Sequence, residues 1–261
     1  MSPAFDGPKR RQDAINNLRA SLPENPPPVW VILFTPPSNA RFEVARVSAE
    51  EKVKAFKATG VPTELVTDKN WRRFANSKQT LLSSSTLKIV QLPLPRVISN
   101  LPITNDFDMN TTDGRRWPAV CEAVDMALST LGGWDSKKPV AVVGANGFIG
   151  KHLVSMLKAN NCKVIPLDNG DPLESLAEAE IVISAASTAG CLTEKHITET
   201  HIVLDLGFEK TEDESWGGNL TTGAIKKARY ATPVPGGMGP AQMAVLIKRY
   251  LKIIKASEEK K

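Results

Sequence analysis

The clearest chemical signal in the sequence comes from a set of glycines and one aspartate. PVAVVGANGFIG, Pro139 to Gly150, joins small and β-branched apolar residues to Gly144, Gly147 and Gly150, and then to the amphipathic stretch KHLVSMLKAN. Strand, bare turn and helix in that order offer backbone N–H groups and a helix N-terminus to negative charge. The first glycine permits the tight turn, the second admits a pyrophosphate, and the third lets helix pack on strand. The chemistry is dinucleotide binding along Gly144, Ala145, Asn146, Gly147, Phe148, Ile149 and Gly150. Asp168 closes the next strand-like run, KVIPLD, 24 residues after Gly144. A carboxylate there accepts from ribose hydroxyls and repels a 2′-phosphate, so NAD is expected ahead of NADP. The competing account is a β–α fold whose glycines serve only the turn.

The surrounding elements have to hold these residues in place. EIVISAA (Glu180 to Ala186) and HIVLDLG (His201 to Gly207) repeat the buried-strand pattern, with room for crossovers between them. Repeated βα units imply a parallel sheet. Upstream, residues 8–21 read as a helix and VWVILF (Val29 to Phe34) as a buried strand. A long helix from Asn39 to Thr59 follows, capped by Ser38 and ended by Gly60. A short helix over Trp71 to Lys78, the strand-like LKIVQLPLP (Leu87 to Pro95), a polar loop from Asn105 to Gly114 and a helix from Ala119 to Leu131 complete this part. Gly132 and Gly133 read as a hinge. The expected fold is α/β in two domains, 1–124 with 240–261 and 125–239, the second a Rossmann-type sheet. Near the end, ATPVPGGMGP is a proline-glycine loop whose Gly236, Gly237 and Gly239 leave the backbone open to a flat ring. A helix beginning at Pro240 then returns to the first domain.

Composition narrows the class. The chain has 261 residues, 41% hydrophobic and 23% charged, which suits a globular protein with a full core. No apolar run approaches the roughly 18 residues of a membrane span, and the N-terminus lacks a secretory apolar segment, so a cytoplasmic protein is expected. Cys121, Cys162 and Cys191 are widely spaced and read as reduced, and His152, His196 and His201 show no metal-ligand spacing with them. The net charge of +5 is spread along the chain, which argues against nucleic acid and suits an anionic small substrate.

VQLPLP, a later D-x-D, the VVG turn and TPVPGGMGP together resemble the methylenetetrahydrofolate dehydrogenase/cyclohydrolase (FolD) family from about Phe5 to Leu251. FDGPKRRQDAI is similar to that family's opening segment. The resemblance implies NAD(P)-dependent oxidation of methylenetetrahydrofolate in one-carbon metabolism, then hydrolysis of the methenyl compound to formyltetrahydrofolate, usually by a homodimer. It implies that a lysine moves the proton, that Gln91 of VQLPLP bonds it, and that Asp108 of DFDM holds the pterin. Pro93, Pro235, Gly236 and Gly237 fall in the substrate-facing motifs, and Ala186 and Ser187 in the segment that lines the cofactor.

The chain also departs from the family. Its Y-x-x-x-K motif is absent: counting back from Gly60 puts Ser48 and Lys52 in those places, whereas counting forward from PPSN puts Phe42 and Arg46 there. Lys52 is favoured, because an arginine stays charged and cannot pass a proton. PAVC (Pro118 to Cys121) stands for P-C-T-P, Ala145 and Asn146 stand where the family has arginine and serine for a 2′-phosphate, and STAG (Ser187 to Gly190) stands for G-K-P-G. Two other readings compete. One is a family member that binds a cofactor without catalysis, or serves as a scaffold. The other is an extended short-chain dehydrogenase or epimerase, suggested by VVGANGFIG but lacking a lysine four residues after Tyr230 or Tyr250.

Overall fold

The computed structural model describes residues 5–34, 40–67, 86–93, 103, 105–109, 117–131, 138–211 and 213–259. The short helix expected over Trp71 to Lys78, the Gly132–Gly133 hinge and the Ser38 cap lie outside the described residues. The chain divides into two compact units, Arg11–Ala119 with Met243–Lys261 and Met1–Arg10 with Val120–Gln242. Residues up to Arg10 therefore go with the second sheet, although the sequence division put them with the first. Gly7 and Tyr230 show why: a Cβ on Gly7 would lie 2.2 Å from the Gly237 oxygen, and the Tyr230 hydroxyl donates to Phe5 O at 3.2 Å.

In the unit that begins at Arg11, β1 (Val29–Leu33) lies between β2 (Thr63–Thr67) and β3 (Leu87–Gln91), parallel to both. Helix α1 (Gly7–Ala20) precedes β1, and α2 (Ala40–Lys57) connects β1 to β2. Gly60, at φ +95°, donates to Lys57 O and stops α2 in the left-handed conformation glycine tolerates. The rings of Phe56, Phe107 and Tyr250 meet edge-on or tilted, with centroids 5.7–6.3 Å apart, and the Tyr250 hydroxyl donates to Pro27 O. The C-terminal helix thus returns to this unit. Asn105 to Met109 are more ordered than a polar loop, and 110–114 lie outside the described residues: Lys88 N donates to Asn105 O, Phe107 N donates to Lys88 O, and Asp106 forms a parallel bridge with Lys88. The reason is Phe107, an apolar anchor 3% exposed in an otherwise polar run.

In the other unit, helix α3 (Ala119–Thr130) precedes a five-stranded parallel sheet. Its strands are β4 (Val140–Val143), β5 (Val164–Leu167), β6 (Ile181–Ser184), β7 (Ile202–Asp205) and β10 (Tyr230–Ala231), in the order β10-β7-β6-β4-β5. β4, β6 and β7 are buried throughout, as strands covered on both faces must be. β5 is the edge strand, where Pro166 costs no ladder bond that a central strand would need. Helix α4 (Phe148–Ala159) joins β4 to β5, and a 3₁₀ turn (Leu173–Glu178) joins β5 to β6. β5 and β6 flank β4 on opposite sides, so the strand order reverses at the glycine turn, where open α/β sheets place their ligands.

An antiparallel ribbon of β8 (Glu209–Lys210) and β9 (Trp216–Gly217) follows β7, with Phe208 stacked on Trp216 at 4.6 Å. Helix α5 (Thr222–Lys227) is capped by the Thr221 hydroxyl, which accepts from Ala224 N. Helix α6 covers Met238–Glu258, so it starts before Pro240. Pro240 still falls in the first turn, where its missing N–H costs no intrahelical bond.

Candidate active site

Lys52 lies on α2 in the unit that begins at Arg11, 3% exposed. Its Nζ donates to Gln91 Oε1 at the end of β3 and to Asp108 Oδ2, both at 2.8 Å. Gln91 Nε2 donates to Leu92 O, which turns the amide oxygen toward the lysine. Asp108 is fixed from several sides. Its N–H donates to Asp106 Oδ1 at 3.1 Å, its Oδ1 accepts from Ala119 N at 3.3 Å, and its carbonyl accepts from Arg249 Nη1 at 2.8 Å. The same Arg249 fork donates to Phe107 O and Trp117 O, each at 2.8 Å, so a rigid guanidinium clamps the turn that carries Asp108.

A second acid and a second lysine stand behind this pair. Asp106 is 4% exposed, and burial together with the Asp108 charge pushes its carboxyl up to about 7. N–H bonds from Asp108 and Val90 and the charge of Lys52 pull the other way. Lys88 is fully buried with Nζ donating to Thr86 O, and burial holds its pKa below the usual lysine range while Asp106 opposes. A buried ion pair such as Lys52–Asp108 adds little net stability, because desolvation of both ions offsets their attraction. Charge kept in such a place is better explained by chemistry than by folding.

The two countings of the lysine position fall in different surroundings. Arg46 is exposed and pairs with Glu50 at 2.9 Å, a surface contact on the order of 0.5 kcal/mol. Ser48, half-buried, sits one helical turn before Lys52, and Pro93 is exposed just beyond Gln91. Lys52, Gln91 and Asp108 are brought together; Pro235, Gly236 and Gly237 belong to the other unit, in the loop between β10 and α6. Gly236 has φ +112°, and a Cβ on Gly237 would lie 2.6 Å from Pro233 O.

In that second unit the glycine turn has the form that its spacing requires. Gly144 has φ +80°, and a Cβ there would lie 2.7 Å from Ala185 O and 3.0 Å from Ala186 N. A Cβ on Gly150 would lie 2.1 Å from Gly144 O, so any side chain would push α4 off the strand. Gly147 caps α4 without a side-chain bond, so no side chain competes for the first-turn N–H groups. Ala145 is buried, Asn146 exposed and Ile149 half-buried, while Phe148 is 45% exposed with its ring 4.7 Å from that of His152. Asp168 ends β5 beside this turn. Its carboxylate accepts from Asn169 N at 2.7 Å and Asn146 N at 2.5 Å, bonds that hold its pKa below the usual carboxylate range. Ala186 and Ser187 leave β6 on the other side of Gly144, half-buried and exposed respectively. A bare cradle, an uncapped helix start and an ionised acid fit a dinucleotide.

Sequence reasoning passed over Asp106, Lys88 and Arg249, and, around the glycine turn, Asp205 and Asn219. Arg249 carried a signal, since it is a cation among the apolar residues of α6 that proves 2% exposed. Asn219 carried almost none, lying in GGN between a glycine pair and a leucine. Among the described residues no cluster of His, Cys, Asp and Glu could hold a metal ion, and no helix is long and apolar enough to cross a membrane.

Comparison with known proteins bears on the family and the fold. Residues 118–258 match the model of the tetrahydrofolate dehydrogenase/cyclohydrolase NAD(P)-binding domain. The bifunctional protein FolD of Mycoplasmopsis synoviae is 27% identical over 235 residues, covering 79% of this chain and 83% of that one. The fold is similar to that of the FolD methylenetetrahydrofolate dehydrogenase/cyclohydrolase of Campylobacter jejuni, with TM-score 0.78, 21% identity and coverage of 98% and 99%. It is equally similar to the Trypanosoma brucei enzyme complexed with NADP and an inhibitor, with TM-score 0.78, 21% identity and 98% coverage of each chain. With a matching family model over more than half its length, this chain belongs to the tetrahydrofolate dehydrogenase/cyclohydrolase family.

Proposed function

We propose that the protein oxidises methylenetetrahydrofolate to methenyltetrahydrofolate and hydrolyses that product to formyltetrahydrofolate. The observation that carries this reading is Lys52, out of water, with its Nζ bonded to both Gln91 Oε1 and Asp108 Oδ2 at 2.8 Å. An ammonium has three N–H directions. Gln91 and Asp108 take two, so the third is the one able to reach a folate nitrogen or the attacking water. In the hydrolytic step water forms a bond to the methenyl carbon and one carbon–nitrogen bond breaks; Lys52 Nζ gives a proton to the departing nitrogen and recovers one from the added water, whose second proton leaves to solvent as the carbonyl forms. Asp108 holds the lysine nitrogen in place and presents a carboxylate to the pterin donors, while Ser48 and Pro93 flank the site.

The first step needs positioning above all. The nicotinamide supplies the hydride acceptor. Gly144 to Gly150 hold its pyrophosphate, Asp168 its ribose, and Ala186 and Ser187 the side of the crevice opposite β5. Residues 11–119 with 243–261 carry the folate chemistry and 1–10 with 120–242 the cofactor, and Pro235, Gly236 and Gly237 offer open backbone in the latter unit. NAD is the cofactor in this reading, because the ionised Asp168 repels a 2′-phosphate and Ala145 and Asn146 offer no cation to one. The Trypanosoma brucei complex holds NADP, but at 21% identity it bears on the fold alone. The protein works as a cytoplasmic homodimer.

The test is turnover of methylenetetrahydrofolate by the purified chain with NAD and NADP in parallel, following reduced nicotinamide and the methenyl product. The expected result is turnover with a lower KM for NAD. A lower KM for NADP would reject the cofactor assignment. Cofactor binding with no turnover by either would favour the non-catalytic binding protein.

A further inference from the structure

The turn after β7 and the loop after β6 are tied together by Asn219. Its side chain is fully buried, and both ends of the amide are engaged. Oδ1 accepts from Ser184 Oγ at 2.7 Å and from Ala186 N at 3.1 Å. Nδ2 donates to Ala186 O at 3.1 Å and Thr188 O at 2.8 Å. Asn219 therefore holds Ala186 by its N–H and its C=O at once, as a neighbouring strand would, although β6 has ended at Ser184. The segment so held is the one whose Ala185 O and Ala186 N close on Gly144.

The rest of the turn is built to keep that amide in place. Gly207 has no side chain where Asn219 needs room, since a Cβ there would lie 2.5 Å from the carboxamide. Asp205, 3% exposed, accepts from Gly207 N at 2.8 Å and Leu220 N at 3.1 Å, anchoring both strands of the turn. Gly190 N donates to Gly218 O at 3.0 Å and Leu192 N to Asn219 O at 2.8 Å, which fastens the far end of the loop. Only an amide meets these demands. An aspartate would set a carboxylate oxygen against the carbonyls of Ala186 and Thr188, and a leucine would leave buried donors and acceptors unmet.

We infer that Asn219 is a positioning residue for cofactor binding: it fixes residues 185–188 as the wall of the dinucleotide crevice opposite Asp168. The inference rests on the cofactor reading above, and the test separates the two. In Asn219→Asp the dissociation constant for NAD rises about tenfold, the size expected when a buried polar contact is lost and its partners are left unpaired. KM for NAD rises with it, while kcat at saturating NAD stays within about twofold because the reacting groups are untouched. Amide exchange of residues 185–190 speeds up while that of β4 and β7 does not. Ser184→Ala, which removes one of the four side-chain bonds and leaves the amide in place, gives a smaller change in the same direction and serves if the first variant folds poorly. Unchanged exchange of the 185–190 segment in both variants overturns the inference, as does an unchanged NAD dissociation constant. A wild-type chain that binds no nicotinamide dinucleotide, with the localised exchange still seen, overturns the cofactor reading and with it the positioning role for NAD.

Discussion

Two parallel sheets in this chain each have a central strand flanked on both sides, and they are furnished in opposite ways. Around the first, function is written in buried side-chain charge: Lys52 and Asp108 in contact, with Asp106 and Lys88 close behind. Around the second it is written in bare backbone, where a Cβ on Gly144 or Gly150 would strike a carbonyl within 3 Å. The difference follows from the work proposed for each. Moving a proton needs titratable groups held away from water by fixed partners. Gripping a pyrophosphate needs N–H groups and clearance, and a side chain there is an obstacle. Asp168, half-buried at the end of β5, is proposed there to select the cofactor and not to react.

If the comparison holds, changes at the two sites should fail in different ways. The largest loss is expected at the charged site: Asp108→Asn strands the buried Lys52 charge and should cost about 3 kcal/mol of stability in urea unfolding, along with the hydrolytic activity. Next is the bare site, where Gly150→Ala forces helix and strand apart and should weaken NAD binding by about 100-fold in titration calorimetry. Asp168→Ser removes the repelling charge and should move the ratio of kcat/KM for NADP over NAD upward by about tenfold. No change in that ratio would take selectivity away from β5.

The last effect is a slope and not a loss of activity. Asp106 has its carboxyl raised by burial to about 7, so the folded form holds a proton that the unfolded form releases near the ordinary value of 3.8. Stability should therefore fall as pH climbs from about 4 to about 7, and Asp106→Asn should flatten that part of the curve. An equally steep curve in the variant would place the titrating group elsewhere.

The two sites also differed in how far the sequence revealed them. The glycine turn is local: strand, turn and helix run in one stretch, each glycine has its own steric reason, and Asp168 is one strand away. Residues 163–168, 180–186 and 201–207 read as strands because continuous apolar runs have no other use at that length. The lysine site has no such local grammar. Lys52 meets a residue 39 positions away and another 56 away, and nothing in their spacing says so. Family resemblance supplied Gln91 and Asp108 and favoured Lys52 over Arg46; in the fold Lys52 is buried and Arg46 exposed. Asn105 to Gly114 looked like loop because its polar residues outnumber Phe107, the residue that packs. Arg249 showed only a cation in an apolar stretch and Asn219 less, because the bonds that place them go mainly to backbone atoms, which no sequence distinguishes.

The division of labour is tested most directly in one variant, Lys52→Met, with hydrolysis of the methenyl compound and NAD binding measured on the same preparation. Hydrolysis should fall by at least about 100-fold, the scale of a positioned proton-transfer group, while the NAD dissociation constant stays within about twofold of wild type. Hydrolysis that continues at the wild-type rate would contradict the account, because the buried lysine would then be ornament and the proton would move elsewhere.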